Sequence, residues 1–412
     1  MSDWKEYRLG DIALSSDFVA NGSFASLKEN VKYLDSENYA ILIRLYDFHN
    51  NWKGPFVYVD EGSFNFLKKS NVEPGDLIIA NVGANAGESF LAPPLKKSMT
   101  LGPNSILIKG SNCKYLFYYF NSTYGKWQLD SIITGSAQPK FNKTDLRNLK
   151  VKLPSETKQG LIVEILSSLD DKIELNNKIN QELETLAQAL FNLICMVDET
   201  QDNDGWSTIK LKDVLSIKNG YAFKGMDFIE SGIPVIKIKN VKSGKINFNN
   251  LSFVSDIIAN KVEKFKIKKY DLLITMSGNR IDGSIDTWVG KVGMFPKNGE
   301  YLLNQRVSIL KFENDKLKYF LLQLLSSEEY QYHFISNATS SGGQANISPD
   351  LIYNTEILLP PTDKIEIFDS VASDIYSIIF NNMSENESLI ELRDNLLPKL
   401  ISGELEINEI NN

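Results

Sequence analysis

Leu169-Asp170-Asp171-Lys172-Ile173-Glu174-Leu175-Asn176-Asn177-Lys178-Ile179-Asn180 lies within a stretch that runs from Leu153-Pro154 to about Val197. The chain repeats that stretch from Leu359-Pro360 to about Gly403. A shift of 206 places Leu169 on Ile375, Asn176 on Asn382, Asn180 on Asn386, Leu183 on Leu389 and Leu190 on Leu396. Ile162, Leu169, Asn176, Leu183 and Leu190 recur every seven residues, as do Phe368, Ile375, Asn382, Leu389 and Leu396. A second apolar row lies three residues on: Ile165, Ile179, Leu186 and Leu193, then Val371, Ile378 and Leu392. Apolar residues at alternating three-and-four spacing over five heptads predict two coiled-coil helices. About 40 residues at 1.5 Å each make a rod of roughly 60 Å. Ser155 and Thr362 are the candidate N-caps. Asn176 and Asn382, with Asn180 and Asn386, are polar positions expected to set the register of the coil. Pro398 is expected to kink or end the second helix.

The repetition extends outward. Trp4-Lys5-Glu6-Tyr7-Arg8-Leu9-Gly10-Asp11-Ile12 matches Trp206-Ser207-Thr208-Ile209-Lys210-Leu211-Lys212-Asp213-Val214 in its apolar and charged positions. Asn21-Gly22 echoes Asn219-Gly220, each a tight-turn signal. The strand-like run Ile41-Leu42-Ile43-Arg44 echoes Val235-Ile236-Lys237, and Gly75-Asp76-Leu77-Ile78-Ile79-Ala80 echoes Tyr270-Asp271-Leu272-Leu273-Ile274-Thr275. A small-residue loop with a glutamine precedes each helix: Gly135-Ser136-Ala137-Gln138 and Ser341-Gly342-Gly343-Gln344. The expected fold class is α/β: two globular α/β domains separated by two long antiparallel coiled-coil helices, with an internal pseudo-twofold repeat. The expected limits are 1–153 for the first domain, 154–198 for the first helix, 199–359 for the second domain and 360–405 for the second helix and tail. Antiparallel pairing follows from the polar linker Asp198 to Gly205. About eight residues reach at most roughly 28 Å, too short to carry the chain back along a rod.

The net charge of −8 divides unevenly. Residues 1–155 carry 18 Lys+Arg against 15 Asp+Glu, and residues 200–361 carry 20 against 17. The helices hold the acidity, with 3 against 9 in residues 156–199 and 3 against 11 in residues 362–412. Mildly basic domains suit a polyanion, and acidic helices suit solvent or a protein. No basic leader or membrane-length apolar run is evident, and Cys113 and Cys195 lie far apart. A reducing, cytoplasmic setting is expected.

Catalysis finds little support. His49 and His333 are unmatched, there is no zinc-ligand spacing, and Gly283 to Lys291 lacks phosphate-loop spacing. Binding signals are present instead. Asn81, Asn85, Asn104 and Gln138 in the first domain lie in small-residue loops, as do Ser277, Asn279, Arg280, Arg306 and Gln344 in the second. Arg suits guanine edges, and Asn or Gln suits adenine. Lys28, Lys140, Lys143 and Lys224 are candidates for phosphate contacts, and Tyr221 belongs to the same candidate surface.

At this point the chain resembles the specificity subunit of type I restriction–modification enzymes. The resemblance is carried by residues 169–176 with Ile179-Asn180, by Leu392-Arg393-Asp394-Asn395-Leu396-Leu397-Pro398-Lys399-Leu400-Ile401-Ser402-Gly403-Glu404, by Asn219 to Lys224, and by the Gln138 and Gln344 loops. It implies two target-recognition domains that each read a half-site of double-stranded DNA, separated by a helical spacer. It also implies no catalysis by this chain, and docking of two methyltransferase subunits and two motor–nuclease subunits. S-adenosylmethionine, ATP and Mg2+ are expected on those partners, with no cofactor and no metal on this chain. The competing expectation is a coiled-coil adaptor with two protein-binding arms and no nucleic acid.

Overall fold

The computed structural model describes residues 4–196, 205–279, 287–341 and 343–405. The chain divides into two compact units, Met1–Ile173 with Glu387–Asn412, and Glu174–Asn386. The long helices run Glu156–Cys195 and Thr362–Ser402, so each contributes residues to both units. Most of the polar linker after Met196 lies outside the described residues.

Each unit repeats one plan. In the first unit an antiparallel sheet orders Leu14–Asp17, Ser105–Lys109, Leu77–Ala80 and Ser89–Leu91. In the second unit the same order is Leu215–Asn219, Val307–Phe312, Leu272–Thr275 and Val292–Met294. A second sheet in each unit contains one parallel pair: Ala40–Ile43 beside Ser98–Leu101, and Ile233–Ile236 beside Leu302–Leu303. The opening strand Lys5–Arg8 pairs with Lys150–Leu153, and Ser207–Lys210 pairs with Glu356–Leu359. That pairing closes the start of each arm onto the strand that feeds its long helix. It explains why the edges of the arms repeat so clearly in sequence.

The cores follow from burial of continuous apolar runs. In the first unit, Tyr115, Leu116, Tyr119 and Phe120 of the helix Cys113–Asn121 pack in one cluster with Ile162, Leu166, Leu400 and Ile401 of the long helices. Tyr118 Oη donates to Asp170 Oδ2 at 2.7 Å, and Arg393 Nη1 donates to Asp170 Oδ1 at 2.8 Å. In the second unit the helix Leu317–Ser326 packs with Phe191, Cys195, Phe368, Ala372, Ile375 and Ile379. There Gln323 Nε2 donates to Tyr376 Oη at 2.9 Å.

The helices are antiparallel, and the asparagines record the register. Asn176 Nδ2 donates to Asn386 Oδ1 at 2.9 Å and to Glu385 Oε2 at 2.7 Å. Four residues on, Asn382 Nδ2 donates to Asn180 Oδ1 at 2.8 Å. The first helix advances by four as the second retreats by four. The repeat places Asn176 on Asn382 and Asn180 on Asn386, so exchanging the two copies converts one pair into the other. Asn176 therefore pairs with Asn386, not with its own repeat equivalent. Asn386 Nδ2 also reaches Asn177 Oδ1 at 3.0 Å. The pairing gives the Asn176 and Asn382 amide nitrogens acceptors that a lone buried amide would lack, while Asn176 Oδ1 is buried with no hydrogen-bond partner among the described residues.

Three details of the helices differ from the sequence expectation. The second apolar row is displaced: Leu186 is 47% exposed, Leu193 79%, Val371 40%, Ile378 46% and Leu392 47%. The buried row lies four residues on, through Leu166, Asn180, Ala187, Ala372, Ile379, Asn386 and Leu400. Both spacings are heptad-compatible, and packing against the globular core selects the second. Ser155 caps the first helix, its Oγ accepting from the Lys158 amide at 3.5 Å. Thr362, however, is already the first helical residue, and the Pro361 carbonyl accepts the Ile365 amide. Pro398 does not end its helix, which continues to Ser402. A helix-interior proline costs about 3 kcal/mol, and burial of Leu400 and Ile401, at about 1.5–3 kcal/mol per side chain, offsets it. Among the described residues no helix is long and apolar enough to cross a membrane.

Candidate nucleic-acid interface

In each unit three sequence-distant loops are tied together by backbone hydrogen bonds. In the first, the Asn81 amide donates to the Asn104 carbonyl at 3.0 Å, and the Phe141 amide donates to the Asn81 carbonyl at 3.1 Å. In the second, the Met276 amide donates to the Arg306 carbonyl at 2.9 Å, and the Ile347 amide donates to the Met276 carbonyl at 3.0 Å. The glutamine loops are small hairpins on the same frame. Thr134 pairs with Lys140, and Val82 bridges to Lys140. Thr339 pairs with Asn346, and Ser277 pairs with Asn346. The two units therefore hold equivalent loops in equivalent ways and clothe them differently.

Glycine permits the close approaches. A Cβ on Gly220 would stand 2.2 Å from the Asn304 carbonyl oxygen, and one on Gly278 would stand 2.4 Å from the Val289 nitrogen. Gly220→Ala is expected to destabilise the second unit by about 2 kcal/mol or more. Gly225→Ala, with nothing within 4 Å of the added carbon, is expected to be near neutral. Thermal unfolding of the two variants checks this, and equal midpoints would refute the packing argument.

The candidate side chains separate into two groups. Asn85, Asn104, Gln138 and Lys140 are exposed around the loops of the first unit. Lys224, Asn279, Arg306 and Gln344 are exposed in the second, where Asn279 Oδ1 accepts from the Trp288 amide at 3.2 Å. Lys28 is exposed on the separate helix Phe24–Asn30. Four others serve the frame. Asn81 donates through Nδ2 to the Phe141 carbonyl, while its Oδ1 is buried without a partner among the described residues. Ser277 is 2% exposed, within a sheet. Lys143 Nζ is held by Asp17 at 3.1 Å. Tyr221 packs its half-buried ring edge-on against Phe223 and tilted against Phe265, while its amide donates to the Leu303 carbonyl at 2.8 Å. Arg280 and Gly342 lie outside the described residues.

The structure adds residues that spacing alone did not reveal. The Gly102 amide donates to the Ile43 carbonyl, and the Asn304 amide donates to the Ile236 carbonyl. Arg44 and Lys237 thus follow equivalent strands, beside the Asn104 and Arg306 loops. Arg44 is clamped by Asp47 at 2.7 Å, hydrogen bonds that hold the guanidinium firmly charged. Its guanidinium lies 5.3 Å from the centre of the exposed Tyr46 ring. Lys237 Nζ sits 3.5 Å from the centre of the Phe228 ring. Burial, then Lys239, pulls its ammonium below the usual lysine range. The signal was a basic residue ending each apolar strand run. His49 completes this edge through Glu88, at 2.9 Å.

A duplicated α/β frame with exposed Arg, Asn, Gln and Lys heads on loops, joined by paired long helices, defines a two-part recognition protein. The chain belongs to the family of the type I restriction modification DNA specificity domain, whose model matches residues 1–185 and 203–392. It is 26% identical over 430 residues to the type I restriction enzyme MjaVIII specificity subunit of Methanocaldococcus jannaschii, covering 99% of this chain and 94% of that protein. It is 24% identical to the HindI specificity subunit of Haemophilus influenzae, covering 98% of this chain and all of that protein (100%). The crystal structure of the type I restriction–modification S subunit from M. genitalium shares the fold, with a TM-score of 0.59, 15% identity and 96% coverage of both chains.

Proposed function

We propose that this chain is the DNA-specificity subunit of a type I restriction–modification complex, reading a bipartite, asymmetric target with one unit per half-site. The observation that carries this reading is the pair of equivalent loop clusters with unlike exposed side chains, in a chain whose family is defined by DNA specificity. Equivalent frames suit the same duplex geometry, and unlike hydrogen-bonding heads suit different bases. Lys28, Lys140 and Lys224 hold phosphates and set register without reading sequence. Binding through them weakens steeply with salt.

Specificity subunits are not themselves catalytic, so methylation and cleavage belong to partners. We assign two methyltransferase subunits and two motor–nuclease subunits, with S-adenosylmethionine, ATP and Mg2+ bound there and a cytoplasmic setting. Exposed apolar residues on the acidic helices offer those partners a surface: Leu186, Leu193, Val371 and Ile378 in the second unit, Leu392 in the first. A protein-only adaptor leaves the exposed Arg306, Asn104 and lysine heads without a purpose.

Replacing residues 1–150 with the corresponding arm of another family member is expected to change one half-site and leave the other intact. Selection of bound sequences from a randomised DNA library checks this. A change in both half-sites would defeat the modular reading.

A further inference from the structure

The hydrogen-bond frames of the two loop clusters give Asn104 and Arg306 equivalent positions. Each offers its carbonyl to the strand-end amide that begins the neighbouring loop, Asn81 in one unit and Met276 in the other. Each precedes the matched sheet strands Ser105–Lys109 and Val307–Phe312. Beside them, Lys140 bridges to Val82 in the first unit and Asn346 pairs with Ser277 in the second, each two residues past the preceding sheet strand. We propose that positions 104 and 306 determine specificity, with Arg306 reading a guanine in one half-site and Asn104 an adenine in the other. The inference rests on the DNA-specificity reading above and names the bases it implies.

The chemistry is that of the free donors. Arg306 is exposed, and among the described residues its guanidinium meets one acceptor, Asn346 Oδ1, at 3.5 Å. A guanidinium has five N–H donors in a planar fork. A single long hydrogen bond orients that fork and leaves a pair of parallel donors for the O6 and N7 acceptors of guanine. Arg44 is the contrast within the other unit, since Asp47 already takes its Nε and Nη2. Asn104 is exposed with φ +68, a left-handed conformation that asparagine tolerates. Its amide presents one donor and one acceptor, the complement of adenine N7 and N6. The frame is constant and the heads differ, so the difference between half-sites is concentrated where the heads differ.

The test uses the chain assembled with its methyltransferase subunits, and DNA libraries randomised one position at a time. R306A is expected to weaken binding to the wild-type target roughly 10- to 100-fold and to erase the preference for guanine at one position of one half-site. R306K keeps the charge and still loses that preference, because a point charge lacks the fork. N104A is expected to relax one adenine position in the other half-site alone. Weakening of all sequences equally by R306A would mark a phosphate contact and overturn the proposal, as would an unchanged preference. A wild-type complex that selects no motif would instead overturn the specificity reading itself, so the two failures are distinguishable.

Discussion

Insertion of one heptad between Asp170 and Asn176 alone is expected to abolish specific DNA binding. A matched heptad between Asn386 and Arg393 is expected to restore it with a longer gap between half-sites. The reason lies in the helix register. Asp170 is fixed to Arg393 on one side of the insertion, and Asn176 and Asn180 are fixed to Asn386 and Asn382 on the other. Seven extra residues in one helix bring Asn176 opposite Ile379 and Asn180 opposite Ile375. Both isoleucines are buried, so each displaced amide loses its partner at a cost of about 1–3 kcal/mol. Lengthening both helices returns every pair to register. Seven residues add about 10 Å of helix, or about 3 base pairs at roughly 3.4 Å each. Target selection with the three proteins reads the outcome. An unchanged gap in the doubly lengthened protein would exclude the helices as the spacer.

Phe368→Ala is expected to lower the unfolding free energy by about 3–5 kcal/mol. Phe368 is 1% exposed and its ring centre lies 5.8 Å from that of Phe191, so each long helix is braced there against the other and against the helix Leu317–Ser326. Its neighbour Ile367 is 54% exposed, and Ile367→Ala should stay within about 0.5 kcal/mol. Urea unfolding of the two variants provides the comparison. Similar losses for both would mean that the second helix buries another face.

Much of this plan was legible because each level repeats. The 206-residue offset identified the helices and singled out the asparagines at 176, 180, 382 and 386, but which asparagine meets which is read from the hydrogen bonds Asn176–Asn386 and Asn382–Asn180. The loop motifs around Gln138 and Gln344 matched because their hairpins are held by the same backbone pairs. What escaped the sequence was chosen by tertiary packing. Leu186 and Leu193 obey a heptad as well as Ala187 and Ile194 do, and only the globular core decides which row is covered. Pro398 is tolerated because Leu400 and Ile401 lie in that core. Asn81 and Ser277 share their loops with exposed side chains, but hydrogen bonds across 60 or more residues turn them inward. Arg44 and Lys237 escaped notice because their loop neighbours become visible only once the parallel strands are paired.

Sequencing the methylated bases of a strain that carries this chain with its methyltransferase partners tests the whole account most directly. One asymmetric motif of two unlike half-sites separated by a fixed stretch of unspecified bases is expected. A contiguous motif, two identical half-sites, or the same motif after replacement of residues 1–150 would contradict it.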